Sequence, residues 1–129
     1  MKNIFIILFS LLTTIGIAQS ADDYLKKAED MEAQKKDHAL VLETLNKGLR
    51  LDKWHAGINL KIAQINEALG DESFDLAQQD KSSSLKTDTI IYYSSAYEGY
   101  IRVTKIDSKK DLTADISRIK DKLNKTNAL

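Results

Sequence analysis

An all-α fold is the architecture this 129-residue sequence predicts, on three observations. Apolar residues recur every three or four positions along most of the chain, the spacing that gathers them on one face of a helix. Proline is absent and the five glycines are scattered, so no linker divides the chain. Short polar clusters break the apolar pattern at helix-length intervals: QKKDH at 34–38, LDKWH at 51–55, LGDES at 69–73, KTDT at 86–89 and KIDSKKD at 105–111, which mark out six helical segments.

The first eighteen residues form a separate unit. Lys2 and Asn3 give a short positive start, IFIILFSLLTTIGI from Ile4 to Ile17 is an almost unbroken apolar run, and Gly16-Ile17-Ala18 supplies the small residues a signal peptidase reads. The pattern predicts a secretory signal peptide over 1–18, cleaved after Ala18, and one domain over 19–129. The run falls short of the roughly 20 residues that cross a bilayer, so no stable membrane insertion is expected after cleavage. Export places the mature chain in a periplasm or outside the cell. The sequence contains no cysteine, which excludes a lipid-modified export signal and a disulfide framework. Loss of Lys2 with the signal leaves 18 basic residues against 19 acidic ones. That near balance implies no strong polyelectrolyte partner, and export together with the lack of a basic stripe argues against nucleic acid.

Taken in order, the first segment places Tyr24, Ala28 and Met31 on one face, the second Val41, Leu42, Leu45 and Leu49, and the third Ile58, Ile62, Ile65 and Leu69. The fourth, Phe74 to Lys86, carries Phe74, Leu76, Ala77 and Leu85. Lys81 and Ser82-Ser83-Ser84 interrupt its apolar face, and serine disfavours a helix interior because its hydroxyl competes for the backbone. The fifth, TIIYYSSAYEGYIRV from Thr89 to Val103, has the β-branched and aromatic content of a strand. At about 100° per residue, however, Ile90, Tyr93, Tyr97, Tyr100, Ile101 and Thr104 share one arc of about 100°. Ser94, Ser95, Glu98 and Arg102 gather opposite with Ile91, and Ala96 and Gly99 form a third strip where a neighbouring backbone can come close. Strict alternation would mix Ile90 with Glu98 and Arg102, and the stretch is long for a strand. It is therefore expected to be an amphipathic helix with its tyrosines in the core. The sixth segment aligns Leu112, Ile116, Ile119 and Leu123 behind Ser108 and Asp111, an S-x-x-D spacing that caps a helix start.

VLETLNKGLRLDK, residues 41–53, and AQQDKSSSLKTDT, residues 77–89, keep register at a spacing of 36, with Gly48 over Ser84, Leu49 over Leu85 and Asp52 over Asp88. Leu112, Ile116 and Ile119 follow about 35 residues later. This pattern, with Leu49-Arg50-Leu51-Asp52-Lys53 matching an L-x-L-D-P-like ending except for lysine in the proline position, resembles the tetratricopeptide repeat (TPR) family. The first helices lack that family's tryptophan, leucine-glycine and tyrosine set, and the third unit ends without the acid. The resemblance implies three stacked helix-turn-helix pairs, a fragment of a right-handed α-solenoid; the alternative is a six-helix bundle without a true repeat.

No catalytic constellation can be assembled. Cysteine nucleophile, glycine-rich phosphate loop, G-x-S-x-G and H-E-x-x-H are all absent from the sequence. His38 and His55 are read as solvated turn histidines, too few for a metal site. Asp22, Asp23, Asp71, Glu72 and Asp75 are read as complementing helix dipoles at helix starts, and Lys105, Lys109 and Lys110 as a solvated basic patch. No enzyme activity and no cofactor or metal is expected. The stacked pairs instead imply a concave surface that binds a peptide or protein partner, with Asn59, Asn66, Ser94, Glu98 and Arg102 as the lining residues. Glu98 and Arg102, four apart, can alternatively pair with each other. The other functional expectation is a carrier enclosing an apolar ligand among Trp54, Phe74 and the tyrosines.

Overall fold

A computed structural model describes residues 19–129, so the expected signal segment at 1–18 lies outside the described residues. Among these, five helices and no strand are present: α1 (Ala21–Ala33), α2 (His38–Leu51), α3 (Ala56–Asp80), α4 (Ser83–Ile106) and α5 (Thr113–Asn127). The expectation of six segments in three pairs, or of a six-helix bundle, is corrected to five helices. No helix of the described chain is long and apolar enough to cross a membrane.

Three of the five polar clusters are true breaks, and two are not. LGDES lies inside α3 and KTDT inside α4; the chain turns instead at Lys81, which adopts the left-handed conformation (φ 47°) as the C-cap of α3. The segment expected over Phe74 to Lys86 is thus divided between two helices. Helix α4 tolerates its serines and threonines because the Thr87 hydroxyl donates to the Ser83 carbonyl (2.9 Å), keeping the polar group inside the helix's own bonding. At the hairpin end the hydroxyls of Thr89 and Ser73 bond each other (2.9 Å), both within reach of the Leu85 carbonyl (2.8 and 3.2 Å). Residues 41–51 lie within one helix whereas 77–89 span a turn, so the two segments aligned at a spacing of 36 do not occupy equivalent places.

The tyrosine-rich stretch is helical throughout. Its buried seam is Thr89, Tyr93, Ala96, Tyr100 and Val103, alternating steps of four and three as in a coiled-coil contact. Tyr93 and Tyr100 are core as expected, but Ile90, Tyr97, Ile101 and Thr104 sit half-buried on the flank. The seam is rotated toward Ala96 because small residues let α3 approach: a Cβ added to Gly99 would lie 2.8 Å from that of Ala63. Ser73 meets Thr89, Glu67 meets Tyr100 and Ala63 meets Gly99, so α3 and α4 are antiparallel. Helices α1 and α2 are likewise antiparallel, Tyr24 facing Gly48 and Met31 facing Thr44.

Helix α3 is the shared member of two apolar clusters. Ile58 and Ile65 pack with Ala28, Val41 and Leu45 of α1 and α2. Ala63, with half-buried Leu60 and Phe74, packs with the α4 seam and with Leu112 and Ile119 at α5. Tyr93, Phe74 and Trp54 do not converge as a carrier requires. Trp54 is exposed on the loop before α3, and Phe74 lies about 27 Å along that helix at 1.5 Å per residue.

The start of α1 is a capping box, Ser20 and Asp23 exchanging backbone and side-chain bonds. At α5 the expected Ser108–Asp111 cap is displaced: the helix begins at Thr113, whose N–H donates to the Asp111 carboxylate (3.0 Å). His55 is not a solvated turn residue. Its Nδ1 accepts the Ile58 N–H (3.1 Å) as the N-cap of α3, which leaves Nε2 to donate to Asp22 (2.6 Å) on α1. Asp22 is 86% exposed, so that tie is weak and the cap is the larger contribution. His55→Ala is expected to lower stability by about 1 kcal/mol and His55→Asn, which restores a cap acceptor, to recover most of it. Urea denaturation midpoints read both.

Candidate partner-binding groove

Four of the five expected lining residues converge. Asn59 and Asn66 on α3 and Glu98 and Arg102 on α4 border one hollow of about 250 Å³, whose remaining walls are Asn46 and Leu49 from α2, Ile62 from α3, and Ser95 and Gly99 from α4. Ser94 is not among these walls; its neighbour Ser95 takes the place. The groove is therefore built by α2, α3 and α4, whereas the sequence placed it on the first helices of successive pairs. Glu98 and Arg102 also border an adjoining hollow of about 360 Å³ with Trp54, Tyr97, Ile101 and Lys105. The two form one groove along α4, on the solvent stripe Ser95, Glu98, Arg102 and Lys105 that steps by three and four residues.

The floor is apolar at Leu49, Ile62 and Gly99, and amides rise from it. Asn59, almost fully buried, donates through Nδ2 to the carbonyls of Lys53 (3.1 Å) and His55 (2.9 Å); Asn66 donates to the Ile62 carbonyl (3.0 Å). Asn59 spends both Nδ2 hydrogens and Asn66 one of its two on the protein's own backbone, which fixes their orientation and leaves Oδ1 of each and one N–H of Asn66 to offer an incoming group. The ion pairs among the described residues involve other groups, so Glu98 and Arg102 do not pair with each other and Lys105 has no acidic partner. Trp54 is 58% exposed with the Lys53 ammonium 5.3 Å from its ring centre, an attraction that holds the ring in place.

The strongest electrostatic feature lies on the other side of α3 and is structural. Glu67, 8% exposed, accepts bonds from the Tyr100 hydroxyl (2.6 Å), from Arg118 Nε and Nη2 (2.7 and 2.9 Å) and from Lys122 (2.8 Å). Burial pushes its pKa up, but the bonds from Arg118, Lys122 and Tyr100 outweigh it and bring the carboxyl down to about 2. Asp71 accepts from Tyr93 (2.7 Å) and Lys122 (2.7 and 2.9 Å), and burial together with Asp71 pushes the Tyr93 phenol upward. Arg118 also donates to Asp115 (2.6 Å), so the charges of the cluster are paired among themselves. Asp71, Glu72 and Asp75, expected at a helix start, lie in the interior of α3; Asp71 serves this cluster and Glu72 lies 3.9 Å from His38. His38 opens α2 and His55 lies beyond its other end, about 20 Å away along the helix axis, so one ion cannot take both. A wider hollow of about 520 Å³ beside Leu129 and the α3–α4 turn contains none of the expected lining residues.

The sequence reading missed Asn46, Leu49 and Ser95 in the groove wall, and Trp54, Tyr97 and Lys105 beside it. A stripe of three- and four-residue steps through Glu98 and Arg102 would have selected Ser95 over Ser94. The contribution of α2 depends on tertiary packing and leaves no local signal. No family model, no curated protein and no solved structure matches this chain.

Proposed function

We propose that this chain is an exported, TPR-like helical interaction module that holds an extended peptide or protein segment in the α2–α3–α4 groove and performs no catalysis. The mature chain begins at Gln19, and the module works in a periplasm or outside the cell. The observation that carries the reading is the convergence of Asn59, Asn66, Glu98 and Arg102, with side-chain polar groups left to spare, over an apolar floor. Amides in such a row suit a polypeptide backbone, which offers a donor and an acceptor at every residue. The hollows lie at or below the lower end of the range that encloses a whole small molecule, so each fits a side chain of a longer ligand. Two antiparallel helix hairpins, α1–α2 and α3–α4, with α5 packed on the second, support the likeness to a helical repeat, although α3 and α4, at 25 and 24 residues, together make the second hairpin longer than the 36-residue spacing.

The test uses the absence of cysteine. Ser95→Cys carrying a photo-crosslinker, in the exported protein, should capture a discrete protein that Asp121→Cys on α5 does not. Adding Asn66→Ala and Arg102→Ala should reduce the adduct at least about tenfold, the loss of one or two good hydrogen bonds. Capture unchanged by those substitutions, or equal at both cysteines, refutes the groove as the binding surface. N-terminal sequencing of the same material should read from Gln19.

A further inference from the structure

We propose that the segment held in the groove carries an acidic side chain, seated between Arg102 and Lys105, next to an apolar one laid on Trp54. The inference rests on the peptide-binding reading above and adds the chemistry of the ligand. Three observations carry it. Arg102 and Lys105 border the same hollow and neither makes an ion pair among the described residues; most surface lysines are also unpaired, so what sets these two apart is that they converge on one hollow. Glu98 is the single acid among the walls of the two hollows, so the groove keeps a positive excess at its Trp54 end, strengthened by Lys53 over the indole ring. Finally Trp54, Tyr97 and Ile101 line that same end, a large exposed aromatic beside two unpaired cations.

These features divide the work along the ligand. Backbone N–H groups of the extended segment donate to Oδ1 of Asn59 and Asn66, and a backbone carbonyl of the segment accepts the second Nδ2 hydrogen of Asn66, the first being held by the Ile62 carbonyl. The ligand carboxylate accepts from the Arg102 guanidinium, whose planar fork matches two carboxylate oxygens. Its apolar neighbour covers the indole face, removing from water a ring that the fold leaves 58% exposed. A basic side chain at that point would meet Arg102, Lys105 and Lys53, so charge sets the specificity.

A random peptide library displayed on phage, with blocked peptides then synthesised from the enriched pool, tests this without knowledge of the natural partner. Trp54 is the sole tryptophan, so its emission reports occupancy of this end of the groove. The wild-type protein should enrich Asp or Glu beside Leu or Phe, bind those peptides about tenfold tighter than their Asn or Gln counterparts, and shift Trp54 emission to the blue. Arg102→Glu, at an exposed position and checked for helicity by circular dichroism, should enrich Lys or Arg instead. Enriched peptides that move Trp54 emission without preference for acid overturn the acidic ligand and leave the peptide groove standing. Enriched peptides that leave Trp54 emission unmoved, or no enrichment at all, overturn both.

Discussion

Replacing Glu67 with leucine is expected to destabilise the protein by about 2–3 kcal/mol, because it strands the buried Tyr100 hydroxyl and removes the charge-assisted bonds from Arg118 and Lys122, which are left with Asp115 and Asp71. Four bonds converge on this carboxylate from Tyr100, Arg118 and Lys122, and it links α3 to both α4 and α5. Helix α5 fully buries Ile119 and Thr126 and packs half-buried Ile116 and Leu123 on the same core, and this charge adds a polar tie to that apolar seat. Glu67→Gln keeps an oxygen for Tyr100 but turns an amide toward Lys122 and should fall between wild type and leucine. Guanidinium denaturation gives the order, and a loss below about 1 kcal/mol for leucine would place the carboxylate among ordinary surface ion pairs.

The same carboxylate gives a pH dependence whose sign is fixed. Its pKa in the fold, about 2, is below the ordinary value of 4.5. The group therefore stabilises the fold fully above about pH 4.5, and the contribution is lost as pH falls through that value toward 2. The stability gap between wild type and Glu67→Gln should close across this window. A gap that stays constant from neutral pH to pH 2 would show that the charge of Glu67 contributes nothing.

The second large effect is expected at Gly99. A Cβ there would stand 2.8 Å from the Cβ of Ala63 and 3.4 Å from its Cα, and neither atom can swing aside as the end of a long side chain would. Gly99→Ala should therefore destabilise, although alanine is the better helix former by about 1 kcal/mol. Gly99→Val should cost about 2 kcal/mol by forcing α3 and α4 apart. Moving the methyl across the interface in Ala63→Gly/Gly99→Ala should restore much of the loss, with a coupling of at least about 0.5 kcal/mol in the cycle. Additive effects of the two changes would mean that the helices do not meet at this pair. Since Gly99 also forms groove floor, the valine variant should weaken ligand capture.

What could be read from the sequence follows from what is local. The turns at 34–38, 51–55 and 105–111 came from local polar clusters, and the helical state of the tyrosine-rich stretch and the closeness of the strip holding Ala96 and Gly99 came from spacing. The breaks at 69–73 and 86–89 failed for physical reasons outside that pattern. Gly70 does not end a helix; a Cβ there would collide with the Tyr93 ring at 2.5 Å, so the residue is small to admit an aromatic. Thr87 and Thr89 bond carbonyls four residues back and remain inside α4. In the groove, Asn59, Asn66, Glu98 and Arg102 were legible as polar residues on helix faces. The wall from α2 was not, because it depends on how α2 lies against α3. Glu67 was invisible for the same reason: its partners stand 51 and 55 residues later in the chain.

The two-sided character of α3 has a consequence for how this chain can be cut or inherited. A piece ending near Lys81 would hold one finished layer and a bare oily flank at Leu60, Ala63 and Phe74, while the remainder would lose the surface on which its tyrosines rest. Neither part is a module in its own right, so shuffling of this fold between proteins has to carry the whole length from Ser20 to Thr126 as a unit.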